Sequence, residues 1–243
     1  MKPMTEFQDA FGRALLDHIE GRGGDEIIER DDGYIALSAP AAKYFEAPAG
    51  TDRDALDRAV GRVLDIGAGA GRAALYLADG GHEVVAIDIS PLAVQVMRSR
   101  GVEDARVLGI RDIDRRELGR FDTIVMLGNN FGLLGTHGRA RRLLRRFARM
   151  TNDNAVIIAE TRDPYDTIDP FHLAYHEQNR QRGRMAGQLR LRARHQVLKT
   201  PWFDYLFVSR PELAEILVGT GWRVAETIDT DGPQFTVILE KHR

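Results

Sequence analysis

There is no cysteine among the 243 residues, which excludes a disulfide frame and a thiolate nucleophile. Lysine is scarce as well: four lysines stand against 30 arginines, unlike the Lys and Glu enrichment of hyperthermophile proteins. No apolar run approaches the ~20 residues that cross a bilayer. The first residues, Met1-Lys2-Pro3-Met4-Thr5-Glu6, lack the apolar centre of a signal peptide. A cytoplasmic location without a membrane partner is therefore expected. The formal net charge of −2 provides no general surface for polyanions, so nucleic acid is not an expected partner. With 43% hydrophobic and 29% charged residues, the composition is ordinary for a globular chain. The length suits one α/β domain with an elaboration, as monomer or homodimer.

The stretch Val63-Leu64-Asp65-Ile66-Gly67-Ala68-Gly69-Ala70-Gly71-Arg72 reads as a buried strand that breaks through glycines into a helix. Glycines at 67 and 69 let the backbone turn sharply and approach a ligand, and the helix beginning near Gly71 aims its positive end there. Such turns also serve for tight packing alone. About twenty residues later, His82-Glu83-Val84-Val85-Ala86-Ile87-Asp88-Ile89-Ser90-Pro91 is a second buried strand ending in an acid. Asp88 at that point can accept hydrogen bonds from both ribose hydroxyls. The third glycine falls one position early for a dinucleotide fingerprint, and Arg72 takes its place, which argues against NAD.

The doublet D-I-G-A-G-A-G and A-I-D-I-S resembles the first two motifs of the class I S-adenosylmethionine-dependent methyltransferases, from about residue 27 to the C-terminus. The resemblance implies S-adenosyl-L-methionine as cofactor. Asp65 and the backbone of Gly67, Ala68 and Gly69 would hold its methionine end, with Arg72 beside them, and Asp88 its ribose. Ile89, Ile110, Arg111 and Asp112 would surround the adenine, although an aspartate in a loop also commonly caps a helix. In such enzymes the segment before the first core strand often folds over the cofactor as a lid. Residues 1–50 are assigned to it, with Tyr34, Tyr44 or Phe45 flanking the ligand. Closure of the core by a helix and loop is the alternative.

Phe7, Phe11, Leu15 and Ile19 fall at four-residue steps on one face of a helix over residues 5–20. Gly21-Arg22-Gly23-Gly24 breaks it, and Glu29 to Tyr34 reads as a polar turn. A short helix over 52–60 precedes the first core strand. A third strand lies at 105–109 and an apolar fourth at 121–127, central in a parallel sheet. The fourth ends in Leu127-Gly128-Asn129-Asn130-Phe131, which should face the same crevice as Gly67 and Asp88. Enzymes of this family that methylate amino groups of DNA bases or glutamine often carry Asn-Pro-Pro-aromatic here. The prolines are absent, which weakens a base-flipping or protein-glutamine role. A helix over 137–150 carries Arg142, Arg145, Arg146 and Arg149, read as a solvated face. The fifth strand, 155–159, has Glu160 at its carboxyl end, and 222–225 with 235–239 form a closing antiparallel pair. The fold class is thus α/β, a doubly wound, seven-stranded, mostly parallel sheet.

Residues 162–202 exceed what that fold needs and leave the carboxyl end of the fifth strand, so they should form a cap over an acceptor pocket. A helix near 172–182 and a strand over 187–198, pairing with 202–208, are expected. Arg190, Arg192 and Arg194 alternate with Leu189, Leu191 and Ala193. If the three guanidinium groups face the crevice the acceptor is anionic; otherwise they form a wet sheet face. His172 or His176 could serve as general base, with Tyr165 and Tyr175 lining the pocket and Asn129 and Asn130 orienting the acceptor. The histidine spacing lacks a third ligand, so no metal is assigned. The expected activity is methyl transfer to a small molecule. A non-catalytic S-adenosylmethionine-binding protein and an NAD-dependent oxidoreductase are the alternatives.

Overall fold

A computed structural model describes residues 4–23, 25–38 and 40–242; the first three residues of the N-terminal stretch and Gly24 of the glycine-rich break lie outside it. A 3-10 turn (Glu6–Gln8) leads into helix α1 (Ala10–Ile19) and a hairpin of β1 (Ile27–Arg30) and β2 (Ile35–Leu37). A second 3-10 turn (Ala41–Tyr44) and helix α2 (Thr51–Leu56) precede the alternating core. That core runs β3 (Val63–Ile66), α3 (Arg72–Asp79), β4 (Val84–Asp88), α4 (Pro91–Ser99), β5 (Asp104–Val107), α5 (Arg115–Leu118) and β6 (Phe121–Met126). After a 3-10 turn (Asn130–Leu134) come α6 (His137–Met150) and β7 (Thr151–Arg162). The insertion holds α7 (Pro170–Gln181), β8 (Gln188–His195), β9 (Leu198–Lys199) and β10 (Phe203–Leu206). Helix α8 (Arg210–Leu217), β11 (Trp222–Asp229) and β12 (Gln234–Lys241) complete the chain.

The seven-stranded sheet has the order β11-β12-β7-β6-β3-β4-β5. Strand β3 pairs in parallel with β4 and with β6, so the strand order reverses between β3 and β6, and the crevice outside their carboxyl ends is where such sheets bind ligands. All four residues of β3 are buried, as a strand covered on both faces requires. One face packs Ile66, Ile87, Ile124 and Met126 against Leu143, Phe147, Leu213 and Ile216. The other packs Val63 and Val125 against Leu56 and Leu77. Ser90 caps α4, its hydroxyl accepting from Ala93 N at 2.9 Å, and Ser209 with Glu212 forms a capping box on α8. Of the arginines on α6, Arg145 and Arg146 donate to the carbonyls of Gly219 and Arg111, tethering neighbouring segments.

The N-terminal segment differs from expectation. Phe7 is 81% exposed and Ile19 is also exposed, so only the middle of the four-residue stripe docks, with Leu15 buried and Phe11 packed against it. Ala10, Gly12 and Ala14 are buried beside Leu15, because α1 crosses α4 closely and small residues permit the approach. Asp9 caps α1 by accepting from Gly12 N, and it also accepts from Ser90 Oγ at 2.8 Å and Leu92 N at 3.0 Å. One buried carboxylate thus serves two helix N-termini. A Cβ on Gly12 would collide with Ser90 and Leu92. Gly12→Ala is therefore expected to cost about 1–3 kcal/mol and to loosen α1, read as faster amide exchange across residues 10–19 than in the rest of the chain.

The segment read as a polar turn is a hairpin, and it joins the insertion. Strand β1 pairs antiparallel with β2 and with β8, and β8 with β9 and β10. Lid and cap are one five-stranded sheet, not two attachments. The strand expected over 187–198 stops at His195 because Gln196 turns left-handed, φ 51°. The buried Asp17 of α1 bonds His195 Nε2 at 2.9 Å and Gln196 Nε2 at 3.0 Å. Among the described residues no helix is long and apolar enough to cross a membrane.

Candidate active site

The turn between β3 and α3 is built by backbone geometry. Gly67 and Gly69 have φ of 72° and 57°, a region open to glycine at little cost. The Gly67 and Ala68 amides donate to the Ile87 carbonyl, at 2.9 and 3.1 Å, which ties the turn to the end of β4. Asp88 completes the tie: its Oδ2 accepts from Gly69 N at 3.1 Å and its Oδ1 from Ser90 N at 2.9 Å. From the other side, Asn130 Nδ2 donates to the carbonyls of Ile66 and Gly67, at 3.2 and 2.9 Å. The Nδ2 group of Asn130 is thus committed to the glycine turn.

Asp65 is buried beneath the turn, and its Oδ2 has no hydrogen-bond partner. Burial first, then the charge of Asp88, pushes its pKa up to about 7; burial likewise pushes Asp88 up to about 6. Arg72 pairs with Asp52 at the start of α2. Glu160 lies at the carboxyl end of β7, its Oε2 accepting from Gly128 N at 3.1 Å. Burial, then Asp52, pushes Glu160 up to about 6. A Cβ at Gly128 would meet nothing within 4 Å, so open space borders this carboxylate, and Leu127 before it is buried.

At the end of β5 a Cβ on Gly109 would stand 3.2 Å from the Asp112 carboxylate and 3.5 Å from Ile89. These residues adjoin, with Ile110 half-buried and Arg111 exposed beside them. Over the glycine turn, a Cβ on Gly69 would be 3.5 Å from Phe11 and 3.7 Å from Tyr44. Those two rings meet edge to face with centroids 5.3 Å apart. Tyr34 is farther out, against His172 and Phe171, and Phe45 stacks on His18.

From the cap, Tyr205 reaches the core: its hydroxyl donates to the Asn129 carbonyl at 2.6 Å. Asn129 is left-handed, φ 63°, and its buried Oδ1 has no partner. Tyr205 was not singled out in the sequence, nor was Glu26, a buried residue just before β1. The only signal for Tyr205 was the pairing of its strand with the insertion. For Glu26 there was none, since it lies just upstream of where the family resemblance begins. Burial pushes Glu26 up to about 7. His172 Nδ1 lies 3.2 Å from Thr167 Oγ1. Burial, then His172, lowers the pKa of His176, which favours its neutral form. Tyr175 donates to Asp31 at 2.7 Å and Tyr165 to Glu212, so both brace the cap.

The arginine row is a correction. Tyr205 pairs with Leu189 and Asp204 with Arg190, so the face that carries Tyr205 to the core is that of Leu189, Leu191 and Ala193. Arg190, Arg192 and Arg194 occupy the opposite face. Arg192 forks onto Glu29 at 2.7 and 2.8 Å and stacks over Trp202. Arg194 shares Glu29, and Arg190 lies 3.6 Å from Asp204. The guanidinium groups are matched by carboxylates across the sheet, and the basis for an anionic acceptor is gone.

Four crevice acids with raised pKa values impose a sign on pH dependence. A carboxylate raised from about 4 to 6–7 on folding destabilises the folded protein as pH rises through that window, because the folded state must give up protons it favours. The stability of Asp65→Asn relative to wild type is therefore expected to grow by about 1–4 kcal/mol from pH 5 to pH 8. Urea unfolding of the ligand-free proteins measures it; a difference constant with pH contradicts the assignment.

A family described as "Methyltransferase domain" matches residues 63–154. Across its whole length the chain is similar to a SAM-dependent methyltransferase from Bacteroides fragilis, solved with S-adenosyl-L-homocysteine. Identity is 27%, coverage 100% of this chain and 98% of that one, and the TM-score 0.84. A glycine/sarcosine/dimethylglycine N-methyltransferase of Actinopolyspora halophila is 33% identical over 117 residues, 46% of this chain and 20% of that protein. A ubiquinone biosynthesis O-methyltransferase of Xanthomonas oryzae is 38% identical over 77 residues, 30% of this chain and 32% of that protein. The chain thus spans less than a third of the length of either curated relative.

Proposed function

Because the chain belongs to the class I S-adenosylmethionine-dependent methyltransferases, we propose that it transfers the methyl group of S-adenosylmethionine to a small-molecule acceptor at the carboxyl ends of β3, β4, β6 and β7. The observation that carries this reading is the buried Asp65 oxygen left without a partner beneath the glycine turn, alongside Asp88 at the turn's edge. Buried carboxylates are tolerated when a cation or donor joins them. A ligand bearing an ammonium, a sulfonium and two ribose hydroxyls brings both, so the donor set fits the cofactor.

Asp65 and the Gly67–Gly69 backbone would hold the methionine end, Asp88 the ribose, and Ile89, Ile110 and Asp112 the adenine, with Arg111 at the rim. Leu127 and Gly128 would border the methyl group. When bound, the cofactor supplies an electrophilic methyl: the acceptor's lone pair forms the new bond to carbon while the carbon–sulfur pair leaves with sulfur. The protein then has mainly to orient and to exclude water, effects that reach ~7–11 kcal/mol. Asn130 and Tyr205 fix the Gly128–Asn129 turn that lies between cofactor and acceptor, and Phe11 with Tyr44 covers the glycine turn. An acceptor that is already nucleophilic needs no general base, so His172 and His176 would not be required for transfer to it.

Calorimetric titration with S-adenosylmethionine and S-adenosylhomocysteine is expected to give micromolar binding and a raised Tm, and a metabolite screen for S-adenosylhomocysteine release should find turnover. Binding without turnover of any acceptor would favour a sensing role instead. NAD is expected to produce no comparable shift.

A further inference from the structure

The groups around the open space beside Gly128 share a polarity. Glu160 presents a carboxylate there, fixed by Gly128 N at 3.1 Å. Next to it the Asn129 amide oxygen is buried and unmatched. Tyr205, whose hydroxyl is bound to the Asn129 carbonyl, feels the charge of Glu160. Among the described residues the buried atoms without a partner include Thr161 Oγ1 and Asn179 Oδ1 as well as Asp65 Oδ2 and Asn129 Oδ1; the last two lie at the turns that border the crevice, and both are acceptors in these roles. Asp65 is 3% exposed and belongs to the cofactor end; Asn129 belongs to the acceptor end.

The cations nearby are already paired. Arg72 pairs with Asp52, and although its charge reaches Glu160 and Asp65, Asp52 opposes it at Glu160; Arg30 forks onto Asp32 while donating to the Phe171 carbonyl. The arginines of β8 are on the far face with Glu29 and Asp204. Arg162 lies over the Phe207 ring, two residues beyond Glu160, on the cap side.

We propose that the acceptor is an amine, held by N–H donation to Glu160 and to Asn129 Oδ1, and that Glu160 determines this specificity. The inference rests on the methyltransferase reading and deepens it. The amine lone pair forms the N–C bond as the C–S bond breaks and its electron pair goes to sulfur. The nitrogen then carries positive charge until it releases a proton to water. A carboxylate beside that nitrogen stabilises the charge as it develops. A phenol or alcohol must lose its proton as it is methylated, and the anionic character it gains is opposed by the neighbouring Glu160 charge; a carboxylate acceptor meets that repulsion from the start. Amino acids belong in the test alongside simple amines.

Full-length protein is assayed for S-adenosylhomocysteine release with primary and secondary amines, amino acids, and the alcohols and carboxylic acids of the same carbon skeletons. Release is expected only from members that carry an amine. Glu160→Gln keeps an oxygen for Gly128 N but removes the charge; it should raise KM for the amine about 10- to 100-fold while S-adenosylhomocysteine affinity stays within about threefold. A readout independent of the acceptor's identity uses methylammonium itself. Added in the tens of millimolar to the S-adenosylhomocysteine complex, it should raise Tm in wild type and not in Glu160→Gln, with acetate inactive in both. Methylation of the alcohols or acids in preference to amines, or a methylammonium effect absent from wild type or unchanged by Glu160→Gln, overturns the amine assignment. If neither cofactor form binds by calorimetry, the methyltransferase reading fails instead.

Discussion

Replacing residues 162–202 with a short Gly-Ser linker is expected to lower S-adenosylhomocysteine affinity at least about tenfold, even though no residue of that segment is assigned to the cofactor. Four pairings, from Ile27 with Arg194 to Arg30 with Leu191, attach β1 to β8. Without β8 the β1–β2 hairpin stands alone, and an isolated two-stranded hairpin is marginal in water. Glu29 loses Arg192 and Arg194. Asp17, buried on α1, loses His195 and Gln196 and keeps only its arginine partner. Losing hydrogen bonds to a charged group costs about 1.5–3 kcal/mol each, so α1 should loosen on α4 and carry Phe11 away from Gly69. Calorimetry and amide exchange across residues 10–19 check this together. A shortened protein that binds the ligand within several-fold and keeps α1 protected would show that the lid stands without the cap.

Asp88→Ala should weaken S-adenosylmethionine and S-adenosylhomocysteine by about 100-fold or more. Hydrogen bonds to a charged group contribute about 1.5–3 kcal/mol each, and two ribose hydroxyls would be stranded. The same substitution frees Gly69 N and Ser90 N, loosening the turn that the ligand uses. Asp88→Asn retains one acceptor oxygen and is expected to fall between alanine and wild type. Equal affinity in all three proteins would take Asp88 out of the site.

The core was legible because its signals are local. Runs such as Val63–Ile66 and Phe121–Met126 are mostly apolar, interrupted by Asp65 in the first and by Asp122 and Thr123 in the second, and parallel strands covered on both faces need a largely apolar pattern. Glycines followed by Arg72, and an acid ending the next strand, place the crevice by chain order alone. The cap sheet was less legible because its pairing is long-range: β1 and β8 are brought together across more than 160 residues, and Ile27–Arg30 is short and half polar. The arginine row illustrates the limit. Alternation along β8 was read correctly from the period of a strand. Which face turns inward depends on Tyr205 and Glu29, residues of two other strands. The four-residue stripe of α1 held at Phe11 and Leu15 and failed at its ends for a related reason: the close crossing with α4 brings Gly12 and Ala14 to the contact and leaves Phe7 and Ile19 outside it. Glu26 and Tyr205 acquire their roles through burial and contact across the crevice, which no local spacing announces.

The central claim is that the space between the Gly67–Gly71 turn, Asp88 and the Gly128–Asn129 turn holds S-adenosylmethionine. A crystal structure of the full chain grown with S-adenosylhomocysteine tests it most directly. The account predicts the ribose hydroxyls on the Asp88 carboxylate, the adenine against Ile89 and Ile110, and the homocysteine end by Asp65 with its sulfur turned toward Gly128. Ligand density elsewhere on the molecule, or a ribose bound without contact to Asp88, would contradict it.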